Sequence, residues 1–202
     1  MIFNETKNYK FSTRLMLNDT IVETLTETKL LGTIIENNFS WNSNTSYLIK
    51  KAYSRMQLLR KIVSFNVSMD DLKHIYIICV RSLLEQSCNV WHSMLTQENR
   101  DNLERVQKSA LKIILDQQFK NYENALNILD LDTLEERRDK LCLSSAIKST
   151  KNEKMKSFFI LNNKNHQMNT RNKEKYIVNF ANRFQNSPIL YMQRKLNEHL
   201  KK

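Results

Sequence analysis

The side chains with the most obvious chemical potential are two adjacent carboxylates, Asp70 and Asp71, which follow Met69. Paired carboxylates at the tip of a β-hairpin can hold the divalent metal ions that clamp the attacking and leaving oxygens of a displacement. The local pattern favours another role. Ser68 precedes Asp71 by three residues, the spacing of a capping box, and acids in a first turn face the positive end of the helix dipole. We therefore predict that this pair begins a helix.

A second candidate is the pair Cys88 and His92, whose spacing of four residues places a thiolate and an imidazole on one side of a helix. Zinc needs further ligands, and the sequence offers no second pair nearby. We predict no metal site, no cofactor and no catalytic residue. The cysteines (Cys79, Cys88 and Cys142) are odd in number and widely spaced, so we expect no disulfide framework.

Basic side chains offer a different chemistry, which is contact with phosphates. Lys50, Ser54, Gln57 and Lys61 fall within one narrow arc of a predicted helix, and Lys51 lies near its edge. Such a ridge can follow a nucleic-acid backbone without reading its sequence. An ordinary solvated helix surface explains the pattern equally well.

The third predicted helix carries a smaller basic group, in which Lys108 and Lys112 share a side with Arg105. Asp101 and Glu104 stand four residues before Arg105 and Lys108, so pairs within the helix are expected. Here a solvated surface is the favoured interpretation, although Lys108 and Lys112 remain candidate nucleic-acid contacts.

Two further charged positions fall in apolar surroundings. Arg81 and Glu85 are four residues apart, and we predict a structural ion pair, because an unpaired charge there would be costly. Arg138 lies on the apolar side of its helix, which a solvated surface does not explain. It either extends to the surface, contacts a phosphate, or pairs with an acid such as Glu104 or Asp130. We favour structural pairing.

The composition restricts what else the chain does. Its 202 residues are 41% hydrophobic, enough for a core, and contain a single Gly and a single Pro. This scarcity argues against a β-rich fold and excludes a Gly-rich phosphate loop. The net charge is +11, which favours a polyanionic partner. No apolar run reaches membrane-spanning length, so we expect an intracellular protein of the nucleus or cytoplasm that does not bind a membrane.

The elements that position these groups divide into three segments. Residues 1–41 predict a short β remnant, with a tight turn at Asn18-Asp19 and one strand over Lys29–Glu36. Residues 42–150 predict a helical bundle. Residues 151–202 carry twelve basic and three acidic residues, a net +9, and predict a basic, partly ordered tail. The expected fold is mainly α, a helical bundle preceded by a small β-hairpin and strand.

Helix starts are predicted at the cluster Asn42 to Thr45, at Ser68, at Thr96, and at Asp132 or Thr133. A short helix is expected near Tyr122 to Leu129. The second helix is apolar nearly all round, with Ile77 and Ile78 beside its regular apolar positions, so we expect it to be the buried centre of the bundle. Trp41 and Trp91 are interpreted as core anchors.

The order of these elements resembles the region after the palm in non-LTR (LINE-type, jockey-like) retrotransposon reverse transcriptases. The resemblance covers roughly residues 10–150. It is carried by four groups of residues: Leu31-Gly32, Ile35 and Trp41; Leu72, Tyr76, Arg81-Ser82, Leu84-Glu85 and Trp91; Leu103-Glu104, Gln107, Ala110-Leu111 and Ile113-Ile114; and Tyr122, Ala125-Leu126, Leu131, Leu134, Arg137-Arg138 and Leu141. One departure is Gln86, where the family usually has Tyr.

The resemblance implies thumb and post-thumb helices that lie against a template–primer duplex. The family's catalytic signature, an aromatic-Ala-Asp-Asp turn, does not occur in this sequence, and the fingers and most of the palm would lie upstream of Met1. We therefore expect a non-catalytic fragment, not an enzyme on its own, that binds RNA or an RNA–DNA hybrid with weak sequence specificity. A further expected partner is the rest of a reverse transcriptase. The alternative is a truncated or host-adopted helical protein-interaction module, in which Leu30, Ile34 and Ile35 are left uncovered.

Overall fold

The computed structural model describes residues 16–21, 25–159, 161, 176 and 186–201. They are mainly helical, with small β-hairpins near the N-terminus, which confirms the predicted fold class. They form two compact units. The first contains described residues of Met1–Gln86 and Leu95–Ala125, and the second those of Ser87–Met94 and Leu126–Lys202. This division differs from the sequence-based segments, because the short stretch Ser87–Met94 packs with the later helices.

The first unit consists of two hairpins followed by helices. Its elements are β1 (Met16–Leu17), β2 (Thr20–Ile21), β3 (Glu27–Leu30), β4 (Thr33–Glu36), α1 (Asn42–Val63), α2 (Met69–Tyr76), a π-helix (Ile77–Arg81), α3 (Ser82–Glu85), α5 (Gln97–Leu115) and a 3₁₀ turn (Asp116–Gln118). Trp41 is 1% exposed, as predicted for a core anchor. The principal helix packing is that of α1 against α5.

The second unit is built from α4 (Cys88–Trp91), a 3₁₀ turn (His92–Met94), α7 (Leu134–Lys151), α8 (Glu153–Lys156) and α9 (Pro188–Lys201). The remaining helix, α6 (Tyr122–Leu129), has the bounds that the sequence predicts and contains the boundary between the two units. Trp91 is completely buried, which confirms its predicted role as a core anchor.

The two hairpins correct part of the β prediction. Asn18 and Asp19 both adopt positive φ and join β1 to β2, as predicted. The sequence predicts that strands over 14–17 and 21–25 flank this turn, and residues 14–15 and 22–24 of them lie outside the described residues. The prediction of a single strand over Lys29–Glu36 is wrong, because this segment forms two antiparallel strands, β3 and β4, joined by a two-residue turn at Leu31-Gly32. Gly32 takes φ 85°, which a residue with a side chain adopts with strain.

The start of α1 is capped from a distance. The N-cap position is Trp41, in a left-handed conformation, and no side chain of the predicted Asn42–Thr45 cluster caps the helix. The carboxylate of Glu36 in β4 accepts from the backbone N–H of Ser43 at 3.2 Å and from its hydroxyl. Asn44 turns back to accept from the backbone N–H of Ile34 at 3.1 Å. These bonds fix the β3–β4 hairpin against the first turn of α1.

The predicted start of α1 at Asn42 is confirmed, and at the other helix starts the predicted side-chain caps are confirmed as well. Ser68 accepts from the backbone N–H of Asp71, and Thr96 from that of Asn99. Thr133, one of two residues proposed for α7, forms a reciprocal capping box with Glu136. Each such side chain satisfies an N–H group that has no partner within the helix.

The rod formed by α2, the π-helix and α3 buries every fourth residue, namely Leu72, Tyr76, Val80 and Leu84. In an α-helix of 3.6 residues per turn, a four-residue repeat drifts around the axis. The wider turn of the π-helix offsets this drift and keeps all four side chains in the core. The prediction that this helix is buried on every side was wrong, because Ile78 is 69% exposed.

The basic C-terminal segment contains a helix that the sequence did not predict. In α9, Met192 and Leu196 are buried and pack with Ala146 of α7, Phe159 and Tyr176. The sequence contained one indication of this helix, because proline is common at a first helical position and Pro188 is the first residue of α9. In the structure, Tyr191 donates its N–H to the carbonyl of Ser187. Most of the remaining tail lies outside the described residues.

The burial pattern of the α2–α3 rod is tested by two alanine variants. Leu84→Ala, at a completely buried position, is expected to lower the free energy of unfolding by about 2–5 kcal/mol. Ile78→Ala is expected to change it by less than about 0.5 kcal/mol, because the side chain is largely in water. Urea unfolding followed by circular dichroism measures both, and equal losses would contradict the described orientation of the rod.

Candidate nucleic-acid interface

The predicted basic ridge lies on the exposed side of α1. Lys50, Lys51, Gln57 and Lys61 are all exposed, and so is Ser54. The opposite side of the helix is buried, through Leu48, Ala52, Met56 and Leu59. Packing of that apolar side against α5 therefore turns the ridge towards water.

The charge of α1 is entirely of one sign. The helix contains five basic residues and no acidic residue: Lys50, Lys51, Arg55, Arg60 and Lys61. In the part of the chain that the structure describes, none of the five forms an ion pair. Arg55 and Arg60 were not among the predicted contacts, because both fall outside the narrow arc of the ridge, although both are exposed. Five uncompensated cations on one rigid helix create a positive potential that attracts a polyanion.

The β3–β4 hairpin adds a sixth cation to this surface. Lys29 of β3 pairs in register with Ile34, whose N–H binds Asn44 in the first turn of α1. The Nζ of Lys29 thereby reaches Tyr47, donating to its hydroxyl at 2.8 Å and lying 4.5 Å from its ring centroid. The Nζ of Lys51 lies 5.1 Å from the same centroid. These ammonium groups lower the pKa of Tyr47, the hydrogen bond from Lys29 being the largest cause.

The basic group on α5 has a different electrostatic setting. Lys108 and Lys112 are exposed, as is Arg105, which donates to the side chain of Asn102 at 2.8 Å. Asp101 accepts from Gln97 at 2.9 Å. Because acidic side chains interleave with the basic ones on this helix, its potential is weaker than that of α1.

A chain of polar side chains that sequence patterns do not predict connects α2, α5 and α6. Tyr76 donates to Gln107, Gln107 donates to Tyr122 at 2.9 Å, and Tyr122 donates to the carboxylate of Glu104. Burial raises the pKa of Tyr122, and the bond to Glu104 raises it further. The two hydroxyls and the amide are neutral, and the carboxylate of Glu104 accepts a hydrogen bond. These bonds therefore stabilise the interior of the first unit and present no reactive group.

Arg81 and Glu85 form the ion pair that the sequence predicts. Their side chains approach to 3.3 Å between Nε and Oε1, and each is 15% exposed. This largely buried pair connects the π-helix to α3.

Arg138 occupies the most buried charged position described. It is completely buried in the second unit, where its guanidinium lies 5.8 Å from the ring centroid of Trp91. Its Nε donates to Nδ1 of His92 at 3.2 Å. Surface extension and contact with a phosphate are therefore both ruled out by its burial. The imidazole partner was missed, because His92 was considered only as a metal ligand.

The Arg138 contact fixes the protonation of His92. Arginine only donates, so Nδ1 of His92 must accept and its proton lies on Nε2. That Nε2 lies 2.8 Å from Oδ1 of Asp139 and donates to it. The same carboxylate accepts from the hydroxyl of Tyr191 and pairs with Lys195 at 2.8 Å. The neutral imidazole thus connects a buried cation to an acid, which holds α9 against α7.

Asp139 is the electrostatic centre of this network. Burial would raise its pKa, but the hydrogen bonds from His92, Lys195 and Tyr191 outweigh burial and hold the pKa below its ordinary range. Burial likewise opposes the charge of Lys195, yet the bond to Asp139 raises the pKa of Lys195. The groups stabilise one another's charged forms, as expected of a structural ion pair.

Metal-ion chemistry finds no support among the described residues. Asp70 and Asp71 lie in the first turn of α2 and not at the tip of a hairpin. Within the same residues, no group of three or more His, Cys, Asp or Glu side chains is arranged to hold a metal ion. Cys88 and Cys142 are free thiols, and their mutual hydrogen bond and burial raise the pKa of Cys142.

Two further findings bear on identity. No helix within the described ranges is long and apolar enough to cross a membrane. Comparison with protein-family models, with curated proteins and with solved structures finds no match for this chain.

The Asp139 network makes stability depend on pH. A carboxylate whose folded pKa lies below its unfolded value stabilises the fold above about pH 4, and that contribution declines as the pH falls below it. Asp139→Asn is therefore expected to cost about 1–3 kcal/mol at pH 7, with a smaller difference from wild type at pH 3.

The matched control is Asp132→Asn, which removes the partner of Lys140 in an exposed pair with side chains 39% and 60% exposed. Such a pair contributes about 0–1 kcal/mol. Chemical unfolding at each pH measures both variants. A loss for Asp139→Asn that stays constant from pH 7 to pH 3 would contradict the assigned ionisation.

Proposed function

We propose that this chain binds RNA or an RNA–DNA hybrid through the basic side of α1, as the non-catalytic C-terminal part of a non-LTR retrotransposon reverse transcriptase. The observation that carries the proposal is the helix α1, with five basic residues, no acidic residue and an apolar opposite side that is buried. In this proposal the protein acts in the nucleus or cytoplasm, where such nucleic acids occur.

The dimensions of α1 suit a nucleic-acid backbone. A 22-residue helix is about 33 Å long, and Lys50 and Lys61 are separated along it by about 16 Å. Lysine contacts phosphate as a point charge and carries little base preference. We therefore infer weak sequence specificity and a binding affinity that depends strongly on salt, because each neutralised phosphate releases counterions.

The resemblance to reverse transcriptases supplies the choice of RNA or an RNA–DNA hybrid. The groups that carry it, from Leu31-Gly32 to Leu141, follow one another in the family's order. The thumb of the family lies against the template–primer duplex, and α1 would be its equivalent. Because the palm aspartates are missing from this sequence, the proposal includes no nucleotide incorporation by the isolated chain.

A second candidate function is protein binding through the β3–β4 turn. Leu31 is 90% exposed and Leu30 is 57% exposed, although Ile34 and Ile35 are partly covered. A host-adopted interaction module would use this apolar tip. It would form a stable complex and have negligible affinity for nucleic acid, so light scattering beside a binding assay separates the two functions.

The proposed function is tested by removing charge from the ridge. Lys50→Gln with Lys61→Gln keeps polar, slightly shorter side chains and removes two phosphate contacts, so the Kd for a labelled hybrid is expected to rise about tenfold at 0.1 M salt. Fluorescence anisotropy measures the change.

The control is Lys148→Gln with Lys151→Gln, two exposed lysines at the end of α7 in the second unit. This variant has the same net charge and is expected to bind within about twofold of wild type. If both double variants weaken binding equally, the attraction is a general effect of net charge and the interface is not on α1.

A further inference from the structure

Two lysines from different elements converge on one tyrosine in the first unit. Lys29 arrives from β3 and Lys51 from one turn further along α1, and their ammonium groups lie 4.5 Å and 5.1 Å from the ring centroid of Tyr47. Both are exposed side chains that are long enough to separate in water. Like charges brought together repel one another, so this arrangement favours an anion between or beside them.

The protein does not provide that anion in its described part. Neither Lys29 nor Lys51 forms an ion pair there. The β3–β4 hairpin carries two acids, Glu27 and Glu36, which are partners in its register. The two carboxylate oxygens of Glu36 accept from the N–H and hydroxyl of Ser43, and Glu27 forms no ion pair with Lys29 or Lys51 among the described residues. The Tyr47 hydroxyl accepts from Lys29 at 2.8 Å, which leaves its own proton to donate.

We propose that Lys29, Tyr47 and Lys51 together bind a single phosphate group of the nucleic-acid backbone. The inference rests on the proposed function and assigns it one further site, which lies where the hairpin joins the ridge. Two ammonium groups supply the charge, and the hydroxyl supplies a neutral donor that fixes the position of one phosphate oxygen. Lys50 and Lys61 continue the path along α1.

Phosphate fits this site better than a carboxylate ligand. A phosphodiester spreads one negative charge over two non-bridging oxygens, each of which can accept from a separate ammonium group, whereas bidentate carboxylate recognition uses the planar fork of arginine. The site also shares the exposed side of α1 with the ridge. A backbone that follows the ridge towards the N-terminus of α1 therefore reaches Tyr47 next.

The test measures how binding of a labelled RNA–DNA hybrid depends on salt. Replacing both lysines (Lys29→Gln with Lys51→Gln) is expected to weaken binding about five- to tenfold at 0.1 M salt and to reduce the slope of log Kd against log salt by about 0.9, the value for one phosphate. A reduction of about 1.8 would mean two separate phosphates and would overturn the shared site.

The tyrosine has its own variant. Tyr47→Phe keeps the ring beside both lysines and removes only the hydroxyl, so the Kd is expected to rise about threefold with an unchanged salt slope. Wild-type affinity in this variant would exclude the hydroxyl from the site. Circular dichroism of each variant, compared with the Lys148→Gln and Lys151→Gln control, verifies that the first unit is folded.

Failure of this inference is distinguishable from failure of the proposed function. If the Lys29 and Lys51 variant binds as wild type while the Lys50 and Lys61 variant is weakened, the ridge on α1 binds the nucleic acid and the proposed Tyr47 site is excluded. If the wild-type chain does not bind the hybrid at low salt, both the proposed function and the Tyr47 site are excluded. Exchanging chloride for inorganic phosphate at constant ionic strength should leave the Kd within about twofold, and stronger competition would assign the site to free phosphate instead.

Discussion

The surface of the first unit depends on one packing arrangement, that of the apolar side of α1 against α5. Met56, Leu59 and Ala52 are completely buried there, and no rotation of α1 about its axis would preserve that burial. The same constraint leaves every basic residue of the helix in water. It also fixes where the β3–β4 hairpin sits, since Glu36 and Ile34 bind the first turn of α1. The burial of the apolar side of α1 is thus sufficient to orient the positive surface towards solvent.

Periodicity and capping chemistry made much of this predictable from sequence. Ser68, Thr96 and Thr133 are caps with partners three residues away, so their geometry is local and the sequence reveals it. The exposed arc of α1 follows from the spacing of its apolar residues, which predicted the positions of Lys50 and Lys61. Where the pattern was ambiguous, prediction failed. Ile78 looked buried because composition alone does not reveal a π-helix, whose wider turn changes which residues face the core.

What the sequence did not reveal depends on contacts between distant residues. His92 and Arg138 are 46 residues apart, and Asp139 binds residues of α9 that lie 52 and 56 positions later. Lys29 meets Tyr47 only because the hairpin register and the cap at Glu36 bring β3 to α1. A lysine in a predicted strand gives no indication of a helical partner. The two units differ in their use of charge: the second places Arg138 and Lys195 in a network with Asp139, whereas the first leaves the cations of α1 without acidic partners among the described residues.

The claim that the cations of α1 bind a phosphate backbone is tested most directly by the salt dependence of the unmodified chain. Affinity for an RNA–DNA hybrid of random sequence would be measured by anisotropy between 50 mM and 300 mM salt. Three or more phosphate contacts predict a slope of log binding constant against log salt of about −3 or steeper, with little change when the sequence is altered. A slope near zero, or no binding at 50 mM salt, would contradict the account.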